Sequence, residues 1–248
     1  MRNIKILIEY DGTNYKGWQI QSNAKTVQDE LTNSLRSIIG DDVTLTGAGR
    51  TDSGVHAIGQ VANFRTESKI TASKFMDGLN GTLPKDIRIL NAVEINEDFH
   101  SRRDALERQY LYKVIKRESA LARFYAYDPG YDLNLKDMAL TAKIIKAKTD
   151  FSSFCKARSK TENKKCKIMK SKWRENGDFL YYTIAADRFI YNMVRSLVGT
   201  MIEVGRGKIT VAEFEEIFDK SDRRAAGPNA PAYGLYLEKV VYAENFNR

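Results

Sequence analysis

The chain has 248 residues, 42% of them hydrophobic, which is enough for one large domain or two small ones with apolar cores. Forty basic residues against 32 acidic ones give a net charge of +8 and favour a polyanionic partner, either a nucleic acid or an anionic membrane surface. No apolar run approaches the roughly 20 residues of a membrane-spanning helix, and the N-terminus has a strand pattern rather than that of a signal peptide, so the sequence predicts a cytoplasmic protein without a membrane anchor.

The first hundred residues predict the element order βαββαβ. Ile4, Ile6 and Ile8 alternate with other residues as in a strand with one apolar face, and Thr26 caps a helix that stops at Gly40. The remaining predicted elements of this part are strands at 43 to 46, 60 to 64 and 86 to 95 and a helix at 73 to 83.

The second part repeats this alternation of strands and helices. Strands are predicted at 110 to 115, 166 to 174, 179 to 185 and 235 to 241, with helices at 135 to 147 and 189 to 204. Two α+β halves of similar plan follow, residues 1 to 103 and residues 104 to 248.

A glycine-rich loop, Gly47-Ala-Gly-Arg-Thr-Asp-Ser-Gly54, contains the first candidate site residue, Asp52. Glycines at this density let the backbone approach a ligand closely. Three interpretations are open: a tight turn in which Asp52 accepts backbone N–H groups, a phosphate-binding nest, or a catalytic carboxylate. An aspartate with an ordinary pKa of about 3.9 is ionised at neutral pH and can act as a nucleophile when a cation orients it.

The candidate cation is Arg195, the single charged residue in the apolar segment from 189 to 202. A guanidinium in a helix buried on nearly all sides requires an anionic or well-bonded partner, which is either Asp52 or another acidic residue. Gly199, one turn further along the helix, leaves room for a loop to come close.

Two further features suit an RNA partner. Tyr110 and Tyr112 lie on the same side of a predicted strand, where they are either core residues or rings available to stack on a base. The stretch from Lys156 to Arg174 is strongly basic and is either a solvated loop or a phosphate-contacting arm, with contacts expected from Lys156, Arg158, Lys164, Lys165 and Lys167.

No metal site is predicted. Cys155 and Cys166 lack the spacing of metal ligands and are expected to be free thiols. His56 and His100 are too few to hold a metal without clusters of cysteines or carboxylates beside them.

Seven segments together resemble the tRNA pseudouridine synthase A family, in the family's order and from Tyr10 nearly to the C-terminus. They are Tyr10-Asp-Gly-Thr with Gly17-Trp-Gln19, Gly49-Arg-Thr-Asp-Ser-Gly-Val-His-Ala57, Asp98-Phe-His-Ser-Arg102, Tyr110-Leu-Tyr112, Phe151-Ser-Ser-Phe154, Met193-Val-Arg-Ser-Leu-Val-Gly199 and Ala230-Pro-Ala-Tyr-Gly-Leu-Tyr-Leu237.

The resemblance implies an α+β fold of two RRM-like halves, with antiparallel sheets joined into one extended sheet, helices on one face and an active-site cleft between the halves. It also implies isomerisation of uridines 38, 39 and 40 in the tRNA anticodon stem-loop, by a cytoplasmic homodimer without a cofactor. Asp52 falls at the nucleophile, Arg195 at its partner, Tyr110 at the ring that stacks on the target uracil, and Arg50 at the residue that fills the gap left by the flipped base.

Departures from the family pattern affect RNA contacts more than chemistry. Ser53 stands where alanine is common, residues 101 to 103 modify a usual His-Ala-Arg pattern, and residues 161 to 166 lack an Arg-Thr pair found in many members. Two alternative functions stay open: a non-catalytic RNA-binding or RNA-folding protein, and a pseudouridine synthase that acts on a different RNA.

Overall fold

The structure is a computed structural model that describes residues 1 to 40, 42 to 155 and 162 to 244. Their strands are β1 (Arg2–Tyr10), β2 (Thr46–Gly47), β3 (His56–Thr66), β4 (Ile87–Ile95), β5 (Glu107–Ile115), β6 (Ile168–Asn176), β7 (Phe179–Ala186) and β8 (Leu235–Val241). Their α-helices are α1 (Val27–Ile39), α2 (Ala72–Thr82), α3 (Leu135–Ala147), α4 (Met193–Gly205) and α5 (Val211–Lys220). The predicted α+β class is confirmed.

The chain divides into two compact units. The first contains Met1–Leu106 and the chain from Tyr236 onward, and the second contains Glu107–Leu235. The sequence division at residue 103 assigned the closing strand to the second half, whereas the structure groups it with the first unit. The reason is that β8 pairs with the start of β3, with His56 opposite Tyr236 and Ala57 opposite Leu237.

The sheet of the first unit has the strand order β4-β1-β3, with β4 at its edge. Because β1 covers one edge of β3 along nearly its whole length, β2 and β8 share the other edge at its two ends. Ile4, Ile6 and Ile8 are fully buried, as their alternation predicted. Each contributes about 1.5–3 kcal/mol through burial of its side chain.

Helix α1 begins and ends as its capping residues predict. The Thr26 hydroxyl accepts the N–H of Asp29, and Gly40 ends the helix in the left-handed conformation with φ +86°. Val27, Leu31 and Leu35 lie on the buried face of the helix. Helix α1 thereby buries one apolar face, and it packs against α2.

The second unit is built on the antiparallel order β5-β7-β6. Helix α4 is buried on most of its surface, including Leu197, Val198 and Met201, and the Trp173 indole N–H points at the Met201 sulfur at 3.3 Å. Within the described ranges, no helix combines the length and apolar character needed to cross a bilayer.

Several elements differ in extent from the prediction; β3, for example, begins at His56 rather than at residue 60. Residues 43 to 45 are not a strand, because Leu45 is buried and its carbonyl accepts a side-chain amide rather than a neighbouring strand. Helix α4 begins at Met193 rather than at residue 189, because Asn192 has φ +65°. Helix α5 was not predicted, although Thr210 and Glu213 form a capping box at its start.

Candidate active site

Asp52 lies half-buried in the loop that connects β2 to β3. Its backbone carbonyl accepts the N–H of Val55 at 3.1 Å, which closes a four-residue turn. Gly54, inside that turn, has φ +78°, a conformation that L side chains rarely adopt. The local sequence therefore gives the Asp52 carboxylate a defined position at the tip of a tight turn.

Both the main chain and the side chain of Thr51, the neighbour of Asp52, make hydrogen bonds. The N–H of Trp18 donates to the Thr51 carbonyl at 3.1 Å. The Thr51 hydroxyl and the Tyr10 hydroxyl lie 2.7 Å apart and share a buried hydrogen bond. These bonds fix the backbone on the N-terminal side of Asp52 to β1 and to the segment that follows it.

Tyr15 holds the other side of the turn. Its carbonyl accepts the N–H of Gly54 and the hydroxyl of Ser53, each at 3.3 Å. Its phenol donates to the Asp86 carboxylate at 2.6 Å, and burial together with this bond raises the pKa of Tyr15 above its usual value. Ser53, a departure from the family pattern, thus adds one hydrogen bond to the loop.

Gly17 allows the supporting segment to approach the loop. A Cβ atom at this position would lie 2.6 Å from the Thr51 carbonyl oxygen, and the residue has φ +93°. The carbonyls of Gly17 and Trp18 also accept the N–H groups of Val27 and Gln28, which have no acceptor inside helix α1. The segment therefore links the loop to the start of α1.

Both histidines have structural contacts. The His56 ring is buried, stacks on Tyr236 and lies with Nδ1 at 3.0 Å from the Gly12 backbone nitrogen, which donates to it. His100 Nδ1 accepts the backbone N–H groups of Arg102 and Arg103 at 3.2 and 3.3 Å. In the part of the chain that the structure describes, no group of three or more His, Cys, Asp or Glu side chains could hold a metal ion.

Ser101 supports the start of the loop, a role not predicted from sequence. Its hydroxyl donates to the Thr46 carbonyl at 2.6 Å, and its N–H donates to the Asn63 side chain at 2.9 Å. Because Thr46 begins β2, Ser101 ties the strand that leads into the Asp52 loop to β3.

Arg50 lies on the same loop and is exposed. Its Nε donates to the side-chain carbonyl of Gln19 at 3.0 Å. Gln19 belongs to the Gly17-Trp-Gln19 segment that resembles the family, but local sequence offered no reason to connect it to a residue 31 positions away.

Tyr110 and Tyr112 lie on the same side of β5, as predicted, but in different environments. Tyr110 is 8% exposed, and its ring meets Phe189 edge-on at 5.1 Å. Tyr112 is a core residue: its hydroxyl donates to the Pro231 carbonyl at 2.8 Å, and burial raises its pKa well above the usual value. Phe189, predicted as helical, instead lies before α4 and contacts Tyr110.

Arg195 lies half-buried near the start of α4, and its position is linked to residue 230 by two bonds. Its Nε donates to the Ala230 carbonyl at 2.8 Å, and the Ala230 N–H donates to the Arg195 carbonyl at 2.9 Å. The carbonyl oxygen of Pro228 occupies the space beside Gly199, 1.8 Å from where a Cβ atom would lie. The predicted close approach of a loop at Gly199 is therefore present.

The basic stretch belongs to the second unit. Lys156 and Arg158 lie outside the described residues, Lys164 is half-buried, and Lys165 and Lys167 are exposed. Hydrogen bonds fix the backbone of Lys165 and Lys167. The N–H of Lys165 donates to the Asn163 side chain and that of Lys167 to the Asp187 side chain, each at 2.9 Å. Lys170, Lys172 and Arg174 follow as exposed residues of β6.

The two cysteines are free and buried. Cys166 Sγ lies 3.9 Å from the Met193 sulfur, and burial raises the pKa of the Cys166 thiol to about 12. A thiol that stays protonated at neutral pH is a weak nucleophile, which leaves Cys166 a packing role.

Residues 6–104 and 147–243 match the sequence model of the tRNA pseudouridine synthase family. The chain belongs to this family. Both Asp52 and Arg195 fall inside the matched ranges, whereas Tyr110 falls between them. Membership makes the chain a pseudouridine synthase, an isomerase that rearranges uridine.

Relatives of this synthase match it over nearly its whole length. Proteins named "tRNA pseudouridine synthase A" from Caldicellulosiruptor saccharolyticus and Acetivibrio thermocellus are each 43% identical to it over 244 residues, 98% of this chain and 100% of the relative. The protein of that name from Thermoanaerobacter sp. is 42% identical with the same coverage.

The likeness to solved structures is weaker. A chain of the "Crystal Structure of a Cbf5-Nop10-Gar1 Complex" superposes with a TM-score of 0.33 at 10% identity, over 80% of this synthase and 54% of that chain. A likeness at this level supports no conclusion about function.

Proposed function

We propose that this synthase isomerises uridines 38, 39 and 40 in the anticodon stem-loop of tRNA, with Asp52 as the nucleophile. The observation that carries the proposal is the fixed position of the Asp52 turn. Hydrogen bonds with Tyr10, Tyr15 and Trp18 hold the residues on both sides of Asp52. A carboxylate held on a rigid loop reaches a substrate atom without losing orientational freedom at the moment of attack.

The target uridine must first leave its base stack, which costs a few kcal/mol. Stacking of the flipped uracil on the Tyr110 ring offsets that cost by about 1–3 kcal/mol. The Arg50 side chain fills the gap in the RNA. Arg195 is the proposed cationic partner that keeps the Asp52 carboxylate ionised and oriented.

Asp52 attacks either C6 of the uracil ring or C1′ of the ribose. On both routes the bond between N1 and C1′ breaks, the uracil rotates, and a bond forms between C5 and C1′. The proton that leaves C5 is balanced by one gained at N1, so the product is an isomer of the substrate and no oxidant or cofactor is consumed. The Tyr110 hydroxyl is the proposed base for the C5 proton.

Lysines around β6 are the proposed contacts with the RNA backbone, together with Lys156 and Arg158. Replacing Lys164, Lys165 and Lys167 with alanine is expected to weaken tRNA binding and to flatten its dependence on salt. For every phosphate that is no longer neutralised, the slope of log affinity against log salt should fall by roughly 0.7–0.9.

Filter binding across a salt series measures that slope. A matched variant with Lys69, Lys74 and Lys85 replaced by alanine carries the same change in net charge on exposed residues of the first unit. Equal slopes for wild type and the Lys164, Lys165 and Lys167 variant would contradict the proposed contacts.

A homodimer in the cytoplasm is part of the proposal. Its support is the resemblance to the tRNA pseudouridine synthase A family, together with an exposed apolar segment in the second unit. In that segment Leu121 is 88% exposed, and Phe124 and Tyr125 are also exposed. Sedimentation of the purified protein as a monomer would contradict the dimer.

Pseudouridine mapping on total RNA tests the function itself. A strain that lacks the gene is expected to lose pseudouridine at positions 38, 39 and 40 of its tRNAs and to regain it when the gene is returned. Loss from another RNA would favour a synthase with a different substrate. An unchanged map would contradict the assignment of positions 38, 39 and 40 to this synthase.

A further inference from the structure

A chain of two glutamine side chains connects Arg50 to the interior of the first unit. Arg50 Nε donates to Gln19 Oε1 at 3.0 Å, and Gln19 Nε2 donates to Gln28 Oε1 at 2.7 Å. Gln28 Nε2 then donates to the carbonyl of Leu45 at 2.9 Å. Leu45 is buried and Arg50 is exposed, so this glutamine relay runs from the core to the surface of the loop.

The orientation of both amides is determined by the ends of the relay. A backbone carbonyl only accepts hydrogen bonds, so Gln28 must direct its NH₂ group toward Leu45. Its oxygen then faces Gln19 and also accepts the N–H of Ile20 at 3.2 Å. Because a guanidinium only donates, Gln19 must direct its oxygen toward Arg50. All donors thus face acceptors in a single arrangement of the relay.

The inner member of the relay is fixed by backbone structure. Gln28 belongs to the first turn of α1, its N–H donates to the Trp18 carbonyl at 3.0 Å, and the residue is 9% exposed. Gln19 follows Trp18 directly, and the Trp18 N–H is bonded to Thr51. The relay therefore places Arg50 relative to the same backbone that holds the Asp52 turn.

The outer end leaves Arg50 able to act on RNA. The relay occupies Nε, and among the described residues no hydrogen bond engages the two terminal amino groups of Arg50. A long arginine side chain loses much rotamer freedom when it enters a defined site. Holding it near one conformation before the RNA arrives removes part of that cost.

We propose that Gln19 and Gln28 are positioning residues that hold the Arg50 guanidinium ready to enter the gap left by the flipped uridine. The inference rests on the proposed function, in which Arg50 fills that gap. It extends the machinery of base flipping from the loop to two glutamines that touch neither the uridine nor Asp52.

A double-mutant cycle between Gln19 and Arg50 tests the relay. Gln19→Met removes the amide at nearly constant size, and Arg50→Met removes the guanidinium. Two measurements are made on tRNA with 2-aminopurine beside the target uridine: its fluorescence, which reports flipping, and the single-turnover rate of pseudouridine formation. Gln19→Met alone is expected to lower the rate about tenfold, the effect of losing one hydrogen bond to a charged group, with tRNA affinity within about twofold of wild type.

The decisive result is the effect of Gln19→Met in the Arg50→Met background. We expect no further loss of rate or fluorescence there, because the relay acts through Arg50. Gln21→Met is the matched control: it removes a glutamine amide that donates to the backbone carbonyls of Lys16 at 3.0 Å and Gln19 at 3.5 Å but to no side chain of the relay, and it should leave the rate unchanged.

Two results would overturn the inference while leaving the proposed function intact. One is an equal loss from Gln19→Met with and without Arg50, which would indicate a role in folding or in another contact. The other is a wild-type rate for Gln19→Met. If wild-type protein itself forms no pseudouridine in this tRNA, the proposed function fails and the relay has no base-flipping role.

Discussion

Asp52→Asn should abolish pseudouridine formation and leave tRNA affinity within about twofold of wild type. Asparagine has nearly the same shape as aspartate, and Thr51, Ser53 and Gly54 each contribute hydrogen bonds that hold the turn. The neutral amide of asparagine is far too weak a nucleophile to replace the carboxylate. Removal of a nucleophile typically costs about 10⁴-fold or more in rate.

Single-turnover conversion of labelled tRNA measures the rate, and filter binding measures the affinity. Asp52→Ala is needed beside Asp52→Asn, because slow deamidation of asparagine would regenerate aspartate and give a false residual rate. Asp77→Asn, a change to an exposed carboxylate of α2, is the control and should keep full activity. Turnover by Asp52→Ala would exclude the nucleophile role, and a wild-type rate for Asp52→Asn would show that another group attacks the uridine.

Local chemistry was enough to predict helices with strong end signals. Thr26 and Gly40 bound α1 as expected, and the predicted helix at 135 to 147 has the same bounds as α3. These ends depend on side-chain caps and on a left-handed glycine, all within a few residues of the helix.

Elements that depend on distant contacts were not predictable in the same way. Val43 and Leu45 alternate like strand residues because both are buried, but the Leu45 carbonyl is taken by Gln28 from α1. Helix α5 did carry a local signal, the Thr210 and Glu213 capping box with Phe214, Ile217 and Phe218 on its buried face. That pattern was available in the sequence and was missed.

The same distinction between local and distant signals applies to the candidate site. Asp52 could be singled out because a lone carboxylate among glycines is visible in the sequence, and Gly199 because an apolar helix with one glycine predicts a close contact. The residues that hold Asp52 in position are Tyr10, Tyr15 and Trp18, which lie more than thirty positions earlier. Their role follows from the pairing of β1 with β3, and no local pattern indicates it.

Gly199→Ala is expected to lower the free energy of unfolding by about 3 kcal/mol. The added methyl group would meet the Pro228 carbonyl, which lies 1.8 Å from the position of the new Cβ atom. A backbone carbonyl cannot rotate aside as a flexible side chain does, so the segment at 227 to 230 must move away from α4. The higher helix propensity of alanine, worth about 1 kcal/mol, only partly offsets this cost.

The same displacement reaches Arg195. The segment is held to α4 by the bonds between Ala230 and Arg195 and by the Gly227 N–H, which donates to the Thr200 hydroxyl at 3.0 Å. Moving the segment takes the acceptor away from Arg195 Nε, so the synthase rate should fall further than the loss of stability explains. Activity measured well below the melting temperature separates the two effects.

Urea denaturation of Gly199→Ala beside Gly81→Ala gives the comparison. Gly81 lies in the last turn of α2, and a Cβ atom there has nothing within 4 Å. Only the higher helix propensity of alanine should then change the stability. Gly81→Ala is therefore expected to raise the free energy of unfolding by up to about 1 kcal/mol. If both variants unfold at the same urea concentration, the Pro228 segment does not pack against Gly199 in solution, and the position of Arg195 must be set by other contacts.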